Sequence, residues 1–198
     1  MNVLVLAAHP DDEALGCGGA ALTHRAAGDA VRVAFLTSGE LGLGTYPVEE
    51  AQAIREEEAR RAAAVLGLAP VDFVRLADGS LADDTASLAS EIAGRLDGVD
   101  LVYAPHPGEH HADHAAVGQA VADLAPVQAR WYEIWTPIGD PDCVIDISEH
   151  MPRKLEAIRC YKSQLEYWPY DRAIEGLNAY RGAMLGGFTF AEVFTARR

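Results

Sequence analysis

Two short polar clusters hold the residue types that hydrolytic chemistry needs: His9-Pro10-Asp11-Asp12-Glu13 near the start, and His111-Ala112-Asp113-His114 past the middle. A catalytic zinc site takes three protein ligands from imidazole and carboxylate and keeps a fourth position for water. His9 and Asp12, three residues apart at the start of a turn, can reach one ion, and His114 can supply the third ligand. Asp11 lies between the first two without needing to bind metal. A carboxylate there can take the proton of an attacking water and make it nucleophilic near neutral pH. His111, one helical turn before His114, can face the same cavity. Protonated, it would stabilise an oxyanion or protonate a departing amine. Asp113 is placed to hydrogen-bond one of these imidazoles and fix its tautomer.

Each cluster also has a plainer explanation. A His-Pro-Asp-Asp turn can cap a helix, with Asp11 or Asp12 accepting free backbone N–H groups. A His-rich loop can be surface decoration or an adventitious metal site. Their shared His/Asp composition, at the ends of two strands, favours one joint site. Gly16-Cys17-Gly18-Gly19 also follows the first apolar run. Its spacing is not G-x-G-x-x-G, and Asp11, Asp12 and Glu13 would repel a pyrophosphate, so no dinucleotide is expected. The glycines should instead let a helix pack closely beneath the site.

The elements that must position these clusters follow from the apolar pattern. Strands are expected at residues 3–8, 31–36, 71–76, 101–104 and 130–135, with a short one at 143–147. Helices are expected near 15–27, 48–66, 86–96 and 114–124, and from 149 to about 164. Unalternating apolar strands separated by amphipathic helices indicate a mostly parallel α/β sheet with helices on both faces, a three-layer fold. Gly28 and Gly67 fall at expected C-caps, and the order Glu49-Glu50 to Arg60-Arg61 suits a helix dipole. Beyond 164 the chain is aromatic and Gly-rich (Tyr167-Trp168-Pro169-Tyr170, Gly182, Gly186-Gly187), which suits an edge hairpin or a cap over a site. Ligands in open α/β sheets gather at the carboxyl ends of strands. The two clusters follow the first and fourth strands, so they can converge. No Pro- or Ser-rich linker divides residues 1–198, and a single domain is expected.

The formal charge of −14 argues against nucleic acid or an anionic membrane surface as partner. Cys17, Cys143 and Cys160 are scattered and odd in number, and are read as reduced thiols. The opening apolar run has no basic flank and is too short to span a bilayer, so a cytoplasmic protein without membrane insertion is expected.

These residues resemble the PIG-L/LmbE-type zinc de-N-acetylases, which include deacetylases of N-acetylglucosaminyl lipids and of glycosylated thiol precursors. Ala8-His9-Pro10-Asp11-Asp12-Glu13 with Gly16-Cys17-Gly18-Gly19 is similar to the family's opening signature, and His111-Ala112-Asp113-His114 to its HxDH motif. Arg55-Glu56-Glu57-Glu58, Tyr161-Lys162-Ser163-Gln164 and Phe190-Ala191-Glu192-Val193-Phe194 resemble further elements, so the similarity spans nearly the whole chain. The resemblance implies a Rossmann-like fold and one zinc ion held by His9, Asp12 and His114. It also implies Asp11 as general base and His111 as electrostatic or acid partner. Arg55, on residue grounds a helix-surface charge, becomes by resemblance a substrate contact, as does Glu40 in Thr37-Ser38-Gly39-Glu40. Some members carry a tyrosine two residues before the HxDH histidine. Here that position is Glu109, followed by His110, and no tyrosine role carries over.

The leading expectation is a zinc-dependent hydrolase that de-N-acetylates an N-acetylglucosamine-type amino sugar or its glycoside. Cobalt or iron would also suit the ligands, and a homo-oligomer is expected by resemblance alone. The alternatives are a metal-dependent amidase on a non-sugar N-acyl substrate and a non-catalytic metal-binding module. Asp11 discriminates against the second, because metal storage has no use for a non-ligating carboxylate.

Overall fold

The structure, a computed structural model, describes residues 1–125 and 128–197, and nothing of the side chain of Arg197. The elements run β1 (Asn2–Ala7), α1 (Asp12–Ala26), β2 (Ala30–Thr37), a 3-10 turn (Glu40–Leu43), α2 (Val48–Leu66), β3 (Val71–Leu76), α3 (Thr85–Ala93), β4 (Leu101–Pro105), α4 (Ala112–Leu124), β5 (Ala129–Tyr132), β6 (Cys143–Asp146), α5 (Met151–Ile158), α6 (Lys162–Leu165), α7 (Tyr170–Leu185) and β7 (Ala191–Arg197). They build one seven-stranded sheet in the order β3-β2-β1-β4-β5-β7-β6. The first five strands in that order pair in parallel, and β7 runs antiparallel between β5 and β6. β1 and β4 are neighbours, and the chain crosses to opposite sides of β1 on leaving them, so the two polar clusters meet at this switch point.

Two apolar cores cover the two sheet faces. One packs Val3, Val5, Val33 and Phe35 against α1, α2 and α5. The other packs Leu4, Leu6, Leu36 and Val102 against α3 and α4. Neighbouring residues of β1 thus feed opposite cores, which is why the strand reads as unbroken apolar sequence.

The glycines of α1 do let it pack closely. A Cβ on Gly16 would stand 2.1 Å from the Tyr132 ring, and one on Gly19 would stand 2.5 Å from Ile147. Tyr132 cannot easily withdraw, because its hydroxyl donates to the carbonyl of Leu6 at 2.7 Å. Overpacking of this kind costs about 1–3 kcal/mol. Gly16→Ala is therefore expected to lower the unfolding free energy in urea by that amount, and an unchanged value would show that the ring has room to move.

Cys17 is kinked out of helical geometry (φ −143°, ψ 20°), so α1 is two helical pieces. The N–H groups of Gly19 and Ala20, just past the kink, donate to the two oxygens of Glu192 at 2.8 and 2.7 Å. Lys154 Nζ donates to Glu192 Oε1 at 2.6 Å and to Asn178 Oδ1 at 2.8 Å, with the Lys154 side chain wholly buried. This network ties α1, α5, α7 and β7 together.

The expected elements recur, with three differences. The single helix expected from 149 to about 164 is α5 and α6, separated at Tyr161, whose buried hydroxyl turns inward to Glu13 at 2.6 Å. The strand expected at 130–135 ends at Tyr132, since Glu133 leaves to pair with Arg181 of α7. The aromatic, Gly-rich segment is not a hairpin: its centre is the 16-residue helix α7, followed by β7. Among the described residues no helix is long and apolar enough to cross a membrane.

Candidate functional site

The chain leaves β1 through His9 and turns into α1. Asp12 closes that turn by accepting the His9 backbone N–H on Oδ2 at 2.9 Å, while its Oδ1 faces His114. Asp11 takes a backbone φ of 124°, a region that costs a non-glycine residue about 1–3 kcal/mol. Its N–H donates to Glu13 Oε2 at 3.2 Å, and Tyr161 holds the other Glu13 oxygen. Across the switch point, β4 leads through Glu109 to α4, with His111 just before the helix and His114 in its first turn. Glu109 accepts from the N–H groups of Ile134 and Thr136 at 2.7 and 3.0 Å, which fastens this loop to the one after β5. His110 is exposed, and its backbone N–H donates to Thr136 Oγ1.

Three candidate ligand atoms converge. His9 Nδ1 and His114 Nε2 are 3.1 Å apart, His114 Nε2 and Asp12 Oδ1 are 3.2 Å apart, and His9 Nδ1 lies 3.8 Å from Asp12 Oδ2. Ligand atoms held about 2.0–2.1 Å from a tetrahedral ion stand about 3.3–3.4 Å apart, and the two pairs made by His114 Nε2 are close to that spacing. The other nitrogen of His9, Nε2, faces Asp78 Oδ1 at 3.0 Å and Asp113 Oδ2 at 3.2 Å. Two carboxylates there can only accept, so Nε2 carries a proton, and Nδ1 would present its lone pair to an ion that displaces its own proton. Asp113 is itself fixed by the N–H groups of Gly79 and Leu81 at 2.8 and 3.0 Å. It stands behind His9, with no place in the cavity wall.

His9, His111 and His114 also place one nitrogen each within 4.8 Å of one another. The His111 and His114 rings stack at 4.6 Å between centroids. Burial and the charges of His114 and His9 push the His111 pKa below its usual value. The shift favours the neutral ring, which still offers one N–H.

The carboxylates differ in their fields. Burial opposes the charge on Asp12, but His114 and His9 outweigh it and lower its pKa to about 2. Burial raises Asp11 to about 6, with Arg55 pulling it down and Asp12 pushing it up. Burial disfavours charge on His9 too, yet Asp113, Asp78 and Asp12 raise its pKa to about 10. The cluster is a place that favours positive charge, as a cation site must be.

A cavity of about 290 Å³ opens over these atoms, and His9, Asp11, Asp12, His111, His114 and Arg55 contribute to its wall. Arg55 is 2% exposed. Its Nη2 donates to the carbonyl of Pro10 and lies 3.4 Å from Asp11 Oδ2, while its Nε and Nη1 have no partner among the described residues. It is no surface charge. Glu40 lies behind the wall, accepts the Asp78 N–H on Oε1 at 3.3 Å and keeps Oε2 buried and, among the described residues, unpartnered. Asp78, Trp135, Gln164 and Tyr170 also line the cavity, and sequence reasoning named none of them as site residues. Asp78 alone had a usable signal, its place just past the carboxyl end of β3.

Comparison with known proteins agrees with this architecture. Residues 4–125 match the PIG-L family, described as GlcNAc-PI de-N-acetylase. The chain is 31% identical over 183 residues to "Probable N-acetyl-alpha-D-glucosaminyl L-malate deacetylase 2" of Bacillus anthracis, covering 82% of this chain and 81% of that protein. It is 30% identical over 218 residues to the diacetylchitobiose deacetylase of Thermococcus kodakarensis, covering 93% and 79%. The crystal structure of a conserved protein from Thermus thermophilus matches with a TM-score of 0.83 at 28% identity, covering 98% of this chain and 93% of that one. With the family match over more than half its length and these relatives over most of it, the chain belongs to the PIG-L/LmbE family of de-N-acetylases.

Proposed function

We propose that this chain is a zinc-dependent hydrolase that removes the acetyl group from the nitrogen of an N-acetylglucosamine-type amino sugar or its glycoside. The observation that carries this reading is the approach of His9 Nδ1 and Asp12 Oδ1 to His114 Nε2, with the Asp11 carboxylate in the same cavity wall. The relatives' names supply the substrate class.

His9, Asp12 and His114 would hold the ion. Asp12 is preferred to His111 as third ligand because a buried carboxylate needs a compensating cation, whereas the more exposed His111 does not. When bound, the ion supplies Lewis acidity, polarising the acyl oxygen and acidifying the attacking water. Asp11 takes the water proton as the oxygen bonds to the acetyl carbon, and later delivers it to the nitrogen as the C–N bond breaks. Acetate and a free amine leave. His111 donates its N–H to the carbonyl oxygen as that atom gains charge. Asp113 and Asp78 keep the His9 proton on Nε2. Arg55, with two unpaired donors in the wall, meets oxygen atoms of the substrate, while Glu40, behind the wall, acts through Asp78, whose N–H it accepts.

Acetate release from a panel of N-acetylglucosamine glycosides, with and without chelator, tests the reading. Activity should vanish on chelation and return with zinc; full turnover by exhaustively chelated protein would overturn the metal assignment. The two histidines should separate. His114→Ala is expected to lose metal, and His111→Ala to keep it while kcat falls by roughly 10²–10³-fold, the usual effect of removing one oxyanion donor. Metal analysis beside steady-state kinetics distinguishes them, and a severe, metal-retaining His110→Ala would shift the assignment by one residue.

A further inference from the structure

A wall of aromatic rings leads out of the cavity. Tyr170 and Trp135 line the inner space. Their rings meet edge to face with centroids 5.7 Å apart, and Trp135 meets Trp168 in the same way at 6.3 Å. Trp168 and Tyr167 then line a second cavity of about 460 Å³, together with Gly42, Gly44, Thr45 and Gln164. Gly42 and Gln164 belong to both walls, so the two spaces adjoin.

The outer wall has two informative properties. Trp135, Tyr167 and Trp168 are 48%, 56% and 56% exposed, a concentration of uncovered aromatic surface at the mouth of a polar site. Such surface marks a ligand-binding groove more often than a bare exterior. The lining also contains no Asp, Glu, Lys, Arg or His among the described residues. An anionic group would find no partner there and would meet the repulsion of a chain carrying −14. A ring with C–H groups on its face and hydroxyls on its rim matches both properties. Its face stacks on an indole while its rim reaches the hydroxyl of Thr45 and the amide of Gln164.

We propose that the outer cavity is the subsite for the group attached to the amino sugar, and that it takes a neutral, hydroxyl-bearing ring, a second sugar or a cyclitol, stacked on Trp168. This rests on the deacetylase reading of the inner cavity and specifies its substrate: a glycoside with a neutral cyclic aglycone is preferred over the free amino sugar and over one bearing a carboxylate.

The zinc-loaded enzyme is assayed on N-acetylglucosamine, N,N′-diacetylchitobiose and N-acetylglucosaminyl L-malate. Wild type should favour the neutral disaccharide over both others in kcat/KM. Trp168→Ala should raise KM for the disaccharide roughly tenfold, leave that for the monosaccharide within about twofold, and be largely rescued by Trp168→Phe. An equal loss on mono- and disaccharide, or a malate glycoside matching the disaccharide, overturns the subsite. If none of the three is hydrolysed, the deacetylase reading fails, and titration of tryptophan fluorescence with N,N′-diacetylchitobiose still reads the subsite. Quenching in wild type that is lost in Trp168→Ala upholds it, and no quenching in wild type overturns it.

Discussion

Asp11→Asn is expected to lower kcat by roughly 10²–10⁴-fold, the usual worth of a positioned general base, while the protein keeps its full complement of metal. Asparagine matches aspartate in size and tolerates positive φ better than most residues, so the turn at φ 124° should survive. What is lost is the proton acceptor. Burial, Arg55 and Asp12 together set the Asp11 carboxyl to about 6, a value suited to taking a proton and returning it near neutrality. Asp12→Asn should behave in the opposite way, losing metal because its Oδ1 belongs to the convergent set. Metal content and kinetics of the two variants form the test, and an exchange of their phenotypes would mean that the adjacent aspartates are assigned the wrong way round.

Lys154→Met is expected to cost about 3–5 kcal/mol in stability, the range for breaking a buried ion pair from one side. The ammonium and the Glu192 carboxylate are 2.6 Å apart, with side chains 0% and 1% exposed. Without Lys154, Glu192 remains as a buried charge compensated only by the two N–H groups of α1. Adding Glu192→Gln should recover part of the loss, since glutamine removes the charge and keeps one acceptor for those groups. Urea unfolding measures both, and a Lys154→Met loss below about 1 kcal/mol would show that Glu192 is stabilised without its partner.

What could be seen in the sequence was what is encoded locally. The helix Val48–Leu66 keeps its expected bounds because Pro47 precedes it and Gly67, at φ 72°, ends it. The two clusters were legible because each gathers several polar residues within a few positions of a strand end. Helix α7 was not, because Gly176 and Gly182 look like loop residues. Gly182 is small for a tertiary reason: a Cβ there would stand 2.7 Å from the carbonyl oxygen of Phe188. Arg55 looked like solvent-facing charge because its cavity is created only when α2 brings it against the turn that follows β1. Trp135 and Gln164 reach the site singly, from separate places in the chain, and a lone residue in a loop or a short helix has no signature, while Asp78 had only its position past the end of β3. The expected cap was half legible: Tyr170 and Trp168 do stand at the cavity, but at the leading end of a helix.

The kinked first helix has a consequence for how the protein is made. Its second half depends for two backbone partners on Glu192, which lies 173 and 172 residues further along the chain. At a synthesis rate of about 5–20 residues per second, those groups wait roughly 9–35 s for their acceptor to be polymerised. Through that interval a nascent chain already contains His9, Asp11 and Asp12, and His111 and His114 follow before Glu192. The helix that carries Asp12 nevertheless stays unfinished until β7 arrives and slots between β5 and β6. The polar clusters are thus translated before the strand that completes the helix beneath them, and a nascent fragment that stops short of Glu192 carries those residues without that framework.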